Sequence, residues 1–530
     1  MSHRVLVTDN LSPRAVEIFQ KAGGIETVVD NEISAEGLMK SLKDFDALVV
    51  RSRTKVTAQL IEKADRLKVI GRAGSGLDNI DAAAATKRGI AVMNTPGGNT
   101  VTTAEHALSL LFALTRSVPQ ATASVKAGKW EKNKFQGREL FNKTLGIIGY
   151  GNIGSVVADR AKGMMMNVII HDPFVTEDVA RKKGIESVSL DELLKRSDYI
   201  TVHTPLNKST RHLINAAAFA KMKDGVMVVN CARGGIIEEQ ALCDALASGK
   251  VLGAALDVFE TEPPGKSPLL EMPNVICTPH LGASTLEAQE NVAIAVAEQI
   301  VDFLLKGIAR NAVNVPSVSP EILPLLRPYI RLCERLGSAY AQMASDPVEE
   351  VRIEFSGDLA EYDSRPLTVA MLKGLLSASR EETVNYVNAP VIAESLGIRV
   401  TESKSKRDVN FTNKISAVFC GKGKETLLVG ALFAKEGPPR LVRLNDYFLE
   451  AILEGNILAM ENEDKPGTIG RIGLLLGENN INIAGFHLGR QQQGGRAVAF
   501  INVDNPVPQE VLEKASRLPH ILSVKQISLD

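Results

Sequence analysis

Short apolar runs, spaced by amphipathic stretches, dominate the first 280 residues. Residues 4–8, 25–30, 46–50 and 67–70 have the length and β-branched content of buried strands. Helical patterns lie between them, and Ser12-Pro13 opens the first with a cap and an N1 proline. Strands alternating with helices predict a parallel α/β sheet. A second series has runs at 144–148, 167–171, 198–202, 225–230, 251–257 and 274–277. A long alanine- and leucine-rich helix, 99–116, precedes it. Ser284 is expected to cap a further helix to about Leu305 that returns to the first series.

Beyond that point the pattern changes. Pro316 to Pro320 and Leu323-Pro324 read as a linker, and residues 325–345 as a helical hairpin or one extended helix. Strands at 350–355, 416–419 and 426–433, with helices at 367–379 and 390–396, predict a separate α+β unit. The last 75 residues or so restart as βαββαβ, a ferredoxin-like order with an exposed edge suited to pairing between subunits.

Composition narrows the class. The chain has 530 residues, enough for three or four domains. Hydrophobic residues make up 45% and charged residues 23%, as in a soluble globular protein. Lysine plus arginine (61) balance aspartate plus glutamate (62), which argues against a bulk nucleic-acid or membrane binder. The five cysteines are scattered without CxxC spacing, which fits a reducing cytosol rather than a disulfide framework or zinc site. The N-terminus lacks the apolar core of a signal peptide, and no apolar run is long enough to span a bilayer.

The candidate chemistry begins where the first run of the second series stops. Gly149, Gly151 and Gly154 form G-x-G-x-x-G between a strand and a helix start that includes Asn152 and Ile153. Such a turn lets backbone approach a pyrophosphate, and the helix N-terminus supplies free N–H groups. The next strand ends at Asp172, 18 residues after Gly154. A carboxylate there suits the adenosine ribose and repels a 2′-phosphate, and no arginine follows closely, so NAD is expected rather than NADP.

Later strands end at His203-Thr204, at Cys231-Ala232-Arg233, at Asp257 and at Thr278-Pro279-His280. Ligands of open α/β sheets bind beyond such ends. Arg233, Glu262 and His280 are the expected catalytic set. A histidine can take a hydroxyl proton, a carboxylate can fix its tautomer, and an arginine can fork a substrate carboxylate. In the first series, Arg51, Arg53 and Arg72 sit at strand ends beside a glycine loop and suggest an anion pocket. His106 is expected to pack within its apolar helix. No histidine pair has metal-ligand spacing with nearby acids, so no metal is expected.

Arg-Gly-Gly at 233–235, Glu-Pro-Pro at 262–264 and His-Leu-Gly-Ala at 280–283 resemble the D-2-hydroxyacid dehydrogenases. Arg51-Ser52, the run from Gly71 to Asp81 and the two C-terminal units narrow the likeness to the branch acting on 3-phospho-D-glycerate. That resemblance implies a Rossmann-type NAD domain (99–281) inserted in a smaller flavodoxin-like α/β substrate domain (1–98 and 282–315). An intervening α+β domain (316–454) and a ferredoxin-like ACT domain (455–530) would follow. It implies NAD-dependent oxidation to 3-phosphohydroxypyruvate, the entry to L-serine synthesis, in a cytoplasmic homo-oligomer, with a homotetramer favoured.

By matching motif, Arg233 orients substrate, Glu262 assists and His280 is the acid/base. The cofactor would meet Ser75, the glycine turn with Asn152 and Ile153, Asp172, Thr204, Cys231, Ala232, Arg233, Asp257, His280, Gly282 and Ala283. Arg51, Ser52, Arg72, Gly74 and Ser75 would serve the substrate, and Lys132 would reach a neighbouring subunit's site. Asp464 and Asn482 match positions that bind effector L-serine across a dimer interface. A hydroxypyruvate or glyoxylate reductase and an NAD-sensing corepressor share the core; the arginines at 51 and 72 and the compact tail argue against each.

Overall fold

The computed structural model describes residues 2–316, 318, 321–344, 346–377, 383–406, 412–434 and 437–529. Ser317, Ser319 and Pro320 of the expected linker, Ser345 and residues 378–379 of the expected helices lie outside these.

The apolar runs of the first series form β1 (His3–Val7), β2 (Ile25–Val29), β3 (Ala47–Val50) and β4 (Val69–Arg72), and a short strand the pattern misses, β5 (Ala91–Met93), joins them. They pair in parallel in the order β2-β1-β3-β4-β5, the flavodoxin-like arrangement. β3 is buried along its whole length, because helices cover both faces of the sheet. The helix Leu286–Lys306 covers one face, packing Val292, Val296 and Ile300 with Val5, Val7, Val69 and Met93. Its cap is Thr285, whose hydroxyl accepts from Ala288 N, and not Ser284. Ser284 N already closes a turn onto Leu281 O, so the helix starts one residue later.

The second series forms β6 (Thr144–Ile148), β7 (Asn167–His171), β9 (Tyr199–Val202), β10 (Val226–Asn230), β11 (Val251–Leu256) and β12 (Val275–Cys277), with a two-residue strand the pattern misses, β8 (Glu186–Ser187), between β7 and β9 in the chain. All pair in parallel in the order β12-β11-β10-β9-β6-β7-β8. This is the doubly wound dinucleotide order with one added strand, and its switch point lies between β6 and β9. The helix Thr100–Thr115 packs on this sheet, with Ala104, Leu108 and Leu111 in one core with Leu145 and Ile147. The chain passes between the two sheets twice, once on each side of this unit.

The rest of the chain holds two more sheets. Strands β13 (Glu350–Gly357), β14 (Arg399–Ser405), β15 (Asn413–Gly421), β16 (Lys424–Ala431), β17 (Arg440–Leu444) and β18 (Tyr447–Ile452) form one in the order β14-β13-β15-β16-β17-β18. The sequence pattern misses β14, β17 and β18. β14 is an edge strand paired parallel to β13 with its first six residues exposed, so it carries no apolar alternation. Residues 323–343 form a single helix, Leu323–Met343, and not a hairpin. It crosses Arg365–Ser377 at a point where two glycines meet opposing backbone. A Cβ on Gly337 would lie 2.2 Å from Met371 O, and one on Gly374 2.0 Å from Glu334 O.

The last sheet is antiparallel, β19 (Gly455–Glu463), β20 (Ile483–Arg490), β21 (Arg496–Val503) and β22 (Ile521–Leu529), in the order β20-β21-β19-β22. One face packs on the helices Thr468–Glu478 and Gln509–Ser516. The other face does not end a separate unit: Ile457, Phe500 and Ile527 share one core with Leu336, Phe355 and Phe419. Its edges also have neighbours within the chain. The Gln342 amide accepts from Ser528 N (2.8 Å) and donates to Ser528 O (3.0 Å), and Gly489 of β20 lies against Phe448 O of β18. The expected exposed edge is thus partly covered by the preceding unit.

Gly374→Ala forces the helix crossing apart. Overpacking of this kind costs ~1–3 kcal/mol, so the melting temperature should fall, whereas Gly397→Ala, with nothing within 4 Å of its Cβ position, should leave the crossing untouched and lose stability only through its φ of 73°.

Candidate active site

The glycine turn after β6 sits at the switch point. Gly149 has φ 95° and lies against His203 O at the end of β9. A Cβ on Gly154 would meet Gly149 O at 2.0 Å, so only glycine allows this approach of helix to turn. The Cβ position of Gly151, by contrast, faces nothing within 4 Å, and the helix Asn152–Gly163 begins there. An open backbone position at a helix N-terminus is what a pyrophosphate requires. Asp172 accepts from Tyr150 N and Phe174 N, both at 2.8 Å. Each of its oxygens keeps a lone pair for a ribose hydroxyl. Thr204 Oγ1 is buried without a partner, an unmet donor on the same side. These features fit a dinucleotide.

Asp257, at the end of β11, organises the opposite wall. It is fully buried and accepts from Thr278 Oγ1 (2.6 Å), Leu281 N (2.7 Å), Gly282 N (2.8 Å) and His106 Nε2 (3.2 Å). Burial alone would raise its pKa, but the bonds from His106, Thr278, Leu281 and Gly282 hold it below the usual carboxylate value. His280 N bonds to the main-chain oxygen of the same residue at 2.9 Å. Three successive amides, 280 to 282, therefore converge on one aspartate. They hold His280 at φ 56°, a left-handed conformation that non-glycine residues adopt at a cost.

His280 Nδ1 lies 2.8 Å from Glu262 Oε2, and Glu262 Oε1 accepts from Phe259 N at 3.2 Å. Both side chains remain open to solvent, at 49% and 40% exposure, so a substrate can reach the pair. The loop after β10 closes against this one. Residue 234 fits only as glycine, since a Cβ would sit 1.8 Å from Phe259 O, and Glu239 and Glu260 each accept from the other's backbone N–H. Asn230 shapes that loop, accepting from Ala232 N and donating to Arg233 O. Cys231 is buried, and burial together with Asp257 pushes its thiol pKa up.

Arg233 reaches across to the first sheet, where its Nε donates to Asp78 Oδ2 at 3.1 Å. Arg72 is on the facing wall, held by Asn79 Oδ1 at 3.1 Å. Its pKa is lowered by burial first, then by Arg233 and Arg51, against the opposing pull of Asp78 and Asp9. Three guanidiniums thus share one field with two carboxylates. Arg51 is fixed through its backbone N to Asp9 Oδ2 (2.6 Å) and through Nη1 to Asn10 O (3.2 Å). Arg53 is tied to Asp9 and to Thr8 O, which makes it a clamp on the loop. Gly74 N donates to Thr95 Oγ1, and Ser75 Oγ donates to Asn99 Oδ1 at 2.7 Å, which ties the glycine loop to the segment entering the second unit.

Other expected residues stand apart. Ser52 and Ala283 are exposed on their loops. Lys132 is exposed on the 3-10 turn Lys132–Phe135 and makes no hydrogen bond or ion pair to the cleft among the described residues. Asp464 N pairs with Gly495 O and Asp504 N with Asn482 O, so Asp464 and Asn482 lie at opposite ends of β21. They are roughly 25 Å apart at the strand's rise and do not meet within one chain. His106 is a correction: it does not simply pack in its helix but bonds to Asp257 and Thr278, both at 3.2 Å. Its apolar flanks hide this, since its partners lie more than 150 residues away. No group of three or more His, Cys, Asp or Glu arranged for a metal occurs among the described residues, and no described helix is long and apolar enough to cross a membrane.

Comparison with known proteins places this geometry. Residues 108–282 match the D-isomer specific 2-hydroxyacid dehydrogenase NAD binding domain, 325–445 the D-3-phosphoglycerate dehydrogenase intervening domain, and 456–520 the ACT domain. The chain is 45% identical to the D-3-phosphoglycerate dehydrogenase of Methanocaldococcus jannaschii over 527 residues, covering 99% of this chain and 100% of the relative. It is 42% identical to that of Bacillus subtilis over 527 residues, covering 99% of both. Among solved structures, D-lactate dehydrogenase from Aquifex aeolicus, complexed with NAD and lactic acid, superposes with TM-score 0.52 at 32% identity, covering 59% of this chain and 100% of that one. A match along nearly the whole chain at this identity decides the matter: the chain belongs to the D-3-phosphoglycerate dehydrogenase branch of the D-isomer specific 2-hydroxyacid dehydrogenase family.

Proposed function

We propose that this chain oxidises 3-phospho-D-glycerate to 3-phosphohydroxypyruvate with NAD, at the entry to L-serine biosynthesis, and that Arg233, Glu262 and His280 perform it. The observation that carries this is the solvent-open His280–Glu262 pair, opposite a half-buried cluster of Arg51, Arg72 and Arg233. Bound NAD supplies the hydride acceptor. His280 takes the hydroxyl proton through Nε2, since Nδ1 is committed to Glu262. Glu262 fixes the tautomer and stabilises the imidazolium. Arg233 holds the substrate carboxylate and polarises the oxygen that becomes a carbonyl, while Arg51 and Arg72, beside Ser52, Gly74 and Ser75, supply the anion site. The cofactor is held by the glycine turn, Asn152, Ile153, Asp172, Thr204, Cys231, Ala232, Asp257, Gly282 and Ala283. The four-part division at residues 99, 282, 316 and 455 goes with this reading.

The same reading makes the terminal domain an L-serine sensor and the enzyme a cytoplasmic homo-oligomer, a homotetramer being favoured. Asp464 and Asn482, separated within one chain, would meet across two copies. Lys132, exposed and without a bond to its own cleft among the described residues, would serve a neighbour's.

NADH should form from 3-phosphoglycerate when the product is removed, and L-serine should inhibit saturably in a manner lost in Asn482→Ala. Oxidation of other 2-hydroxy acids but not of this one would overturn the substrate assignment. Serine-independent turnover would reduce the terminal sheet to an assembly surface.

His280→Asn should lower kcat by about 10²–10⁴ with the Kd for NADH changed by less than about twofold, because the glycine turn and Asp172, which hold the pyrophosphate and ribose, keep their place in the variant. A variant that no longer binds NADH would mean that residue 280 holds the loop rather than moves a proton.

His106→Ala removes one bond from a buried carboxylate, at a cost of ~1–3 kcal/mol. Both Tm and kcat should fall, and His106→Asn should restore part of each by keeping a donor. An unchanged kcat in His106→Ala would show that Asp257 needs only its backbone donors.

A further inference from the structure

Residues 77–80 form one tight turn beyond the end of β4. Ile80 N bonds to Leu77 O at 2.9 Å, which makes Asp78 and Asn79 its two central residues. The turn is pinned to the loop after β3, where Val56 N donates to Asn79 O (2.7 Å) and Val56 O accepts from Asp81 N (2.9 Å). Its two central side chains hold different walls of the cleft. Asn79 Oδ1 accepts from Arg72 Nε (3.1 Å), and Asn79 Nδ2 donates to the main-chain oxygens of Arg51 (2.7 Å) and Thr54 (2.6 Å). Asp78 Oδ2 accepts from Nε of Arg233, which comes from the second unit (3.1 Å). Adjacent residues of one turn thus hold the arginines of both walls.

The contact with Arg233 orients more than it stabilises. Arg233 Nη1 donates to Ala232 O at 2.7 Å on its own side of the cleft. With Nε on Asp78, the guanidinium plane is fixed at two points, one on each unit. The N–H groups left over belong to Nη1 and Nη2, the edge that can fork a carboxylate. Nη2 also lies close over the glycine loop: a Cβ on Gly76 would sit 2.1 Å from it and 2.8 Å from Asp78 Oδ2. Glycine at 76 is what lets the pair close there. The Asp78 side chain is 66% exposed, and an ion pair so open to water adds little to folding. Its negative charge beside three arginines also opposes the entry of an anionic substrate. A carboxylate that adds little stability and repels substrate finds its use in placing Arg233.

We propose that Asp78 is a positioning residue for the reaction, and that the turn 77–80 fixes the separation between Arg233, at the carboxylate end of the substrate, and Arg51 and Arg72, at its phosphate end. This rests on the reaction proposed above. Asp78 acts through Arg233 and not on substrate. An Arg233 free to turn about its own side-chain torsions still attracts the carboxylate, but it no longer points at the oxygen that becomes a carbonyl. The loss then falls on kcat and not on KM.

Steady-state kinetics with 3-phosphoglycerate and NAD test this in the full-length protein, comparing wild type with Asp78→Ala and Asp78→Asn alongside Tm and the Kd for NADH. Asp78→Ala should lower kcat by about 10–100-fold, with KM no higher than in wild type, Tm unchanged and the NADH Kd within about twofold. Asp78→Asn keeps an acceptor for Nε and should return most of kcat. Its KM should fall by about twofold at low ionic strength, because a charge that repels substrate is gone. A kcat within about twofold of wild type in Asp78→Ala overturns the proposal. So does a loss that Asp78→Asn fails to reverse, or one accompanied by a raised KM and a lowered Tm. Wild-type protein that does not oxidise 3-phosphoglycerate overturns the reaction itself and this proposal with it, so wild type alone tells the two failures apart.

Discussion

One buried carboxylate governs the wall that carries His280 and Glu262. Asp257 has no contact with solvent, and ionising it there would be costly without its four donors. Those donors are the backbone of the loop that carries His280, the Thr278 hydroxyl and the ring of His106. The carboxylate thus exchanges its own desolvation cost for the shape of the loop. That shape includes a histidine in the left-handed region, which no local preference would select. The placement of His280 is therefore a tertiary product: it depends on a helix that joins the two units, a strand end and a turn agreeing on one point.

How much of this can be read in the sequence follows from the range of each interaction. The glycine turn, Asp172 and the polar strand ends are local features, and the structure places them along one side of one sheet. The links between them are not local. His106 reads as a core residue because its own helix is apolar, and only closure onto Asp257, 151 positions away, reveals its partner. The reach of Arg233 to Asp78 spans 155 positions and likewise leaves no trace in either segment. Asp9 and Asn79, which fix the arginine loop, stand in short polar stretches that look like ordinary turns.

The C-terminal half was harder to read for a different reason. Of its missed strands, β14 is an edge strand whose side chains face water, while β17 and β18 bury Leu441, Leu444, Leu449 and Ala451 in short runs interrupted by Arg440, Arg443 and Glu450, so the apolar alternation that marks a half-buried strand is faint in the sequence. The boundary between the last two units is also blurred by packing. A sheet that looks self-sufficient from its βαββαβ order shares a core with the preceding helix, and Gln342 completes its edge. The intervening unit thus has two neighbours, the first sheet on one side, where Asn385 Nδ2 donates to Gly89 O, and the terminal sheet on the other.

The two passages of chain between the first and second sheets have a mechanical consequence. A unit tied by a single linker can swing and twist freely. One tied at two separated points keeps only rotation about the line through them, as a door does on paired hinges. Here that line passes beside Ser75–Asn99 on one strand of the connection and Thr285 on the other. Any relative motion of the two units would then carry Arg233 and His280 past the arginine wall along one arc, so their approach to Arg51 and Arg72 would be the same each time.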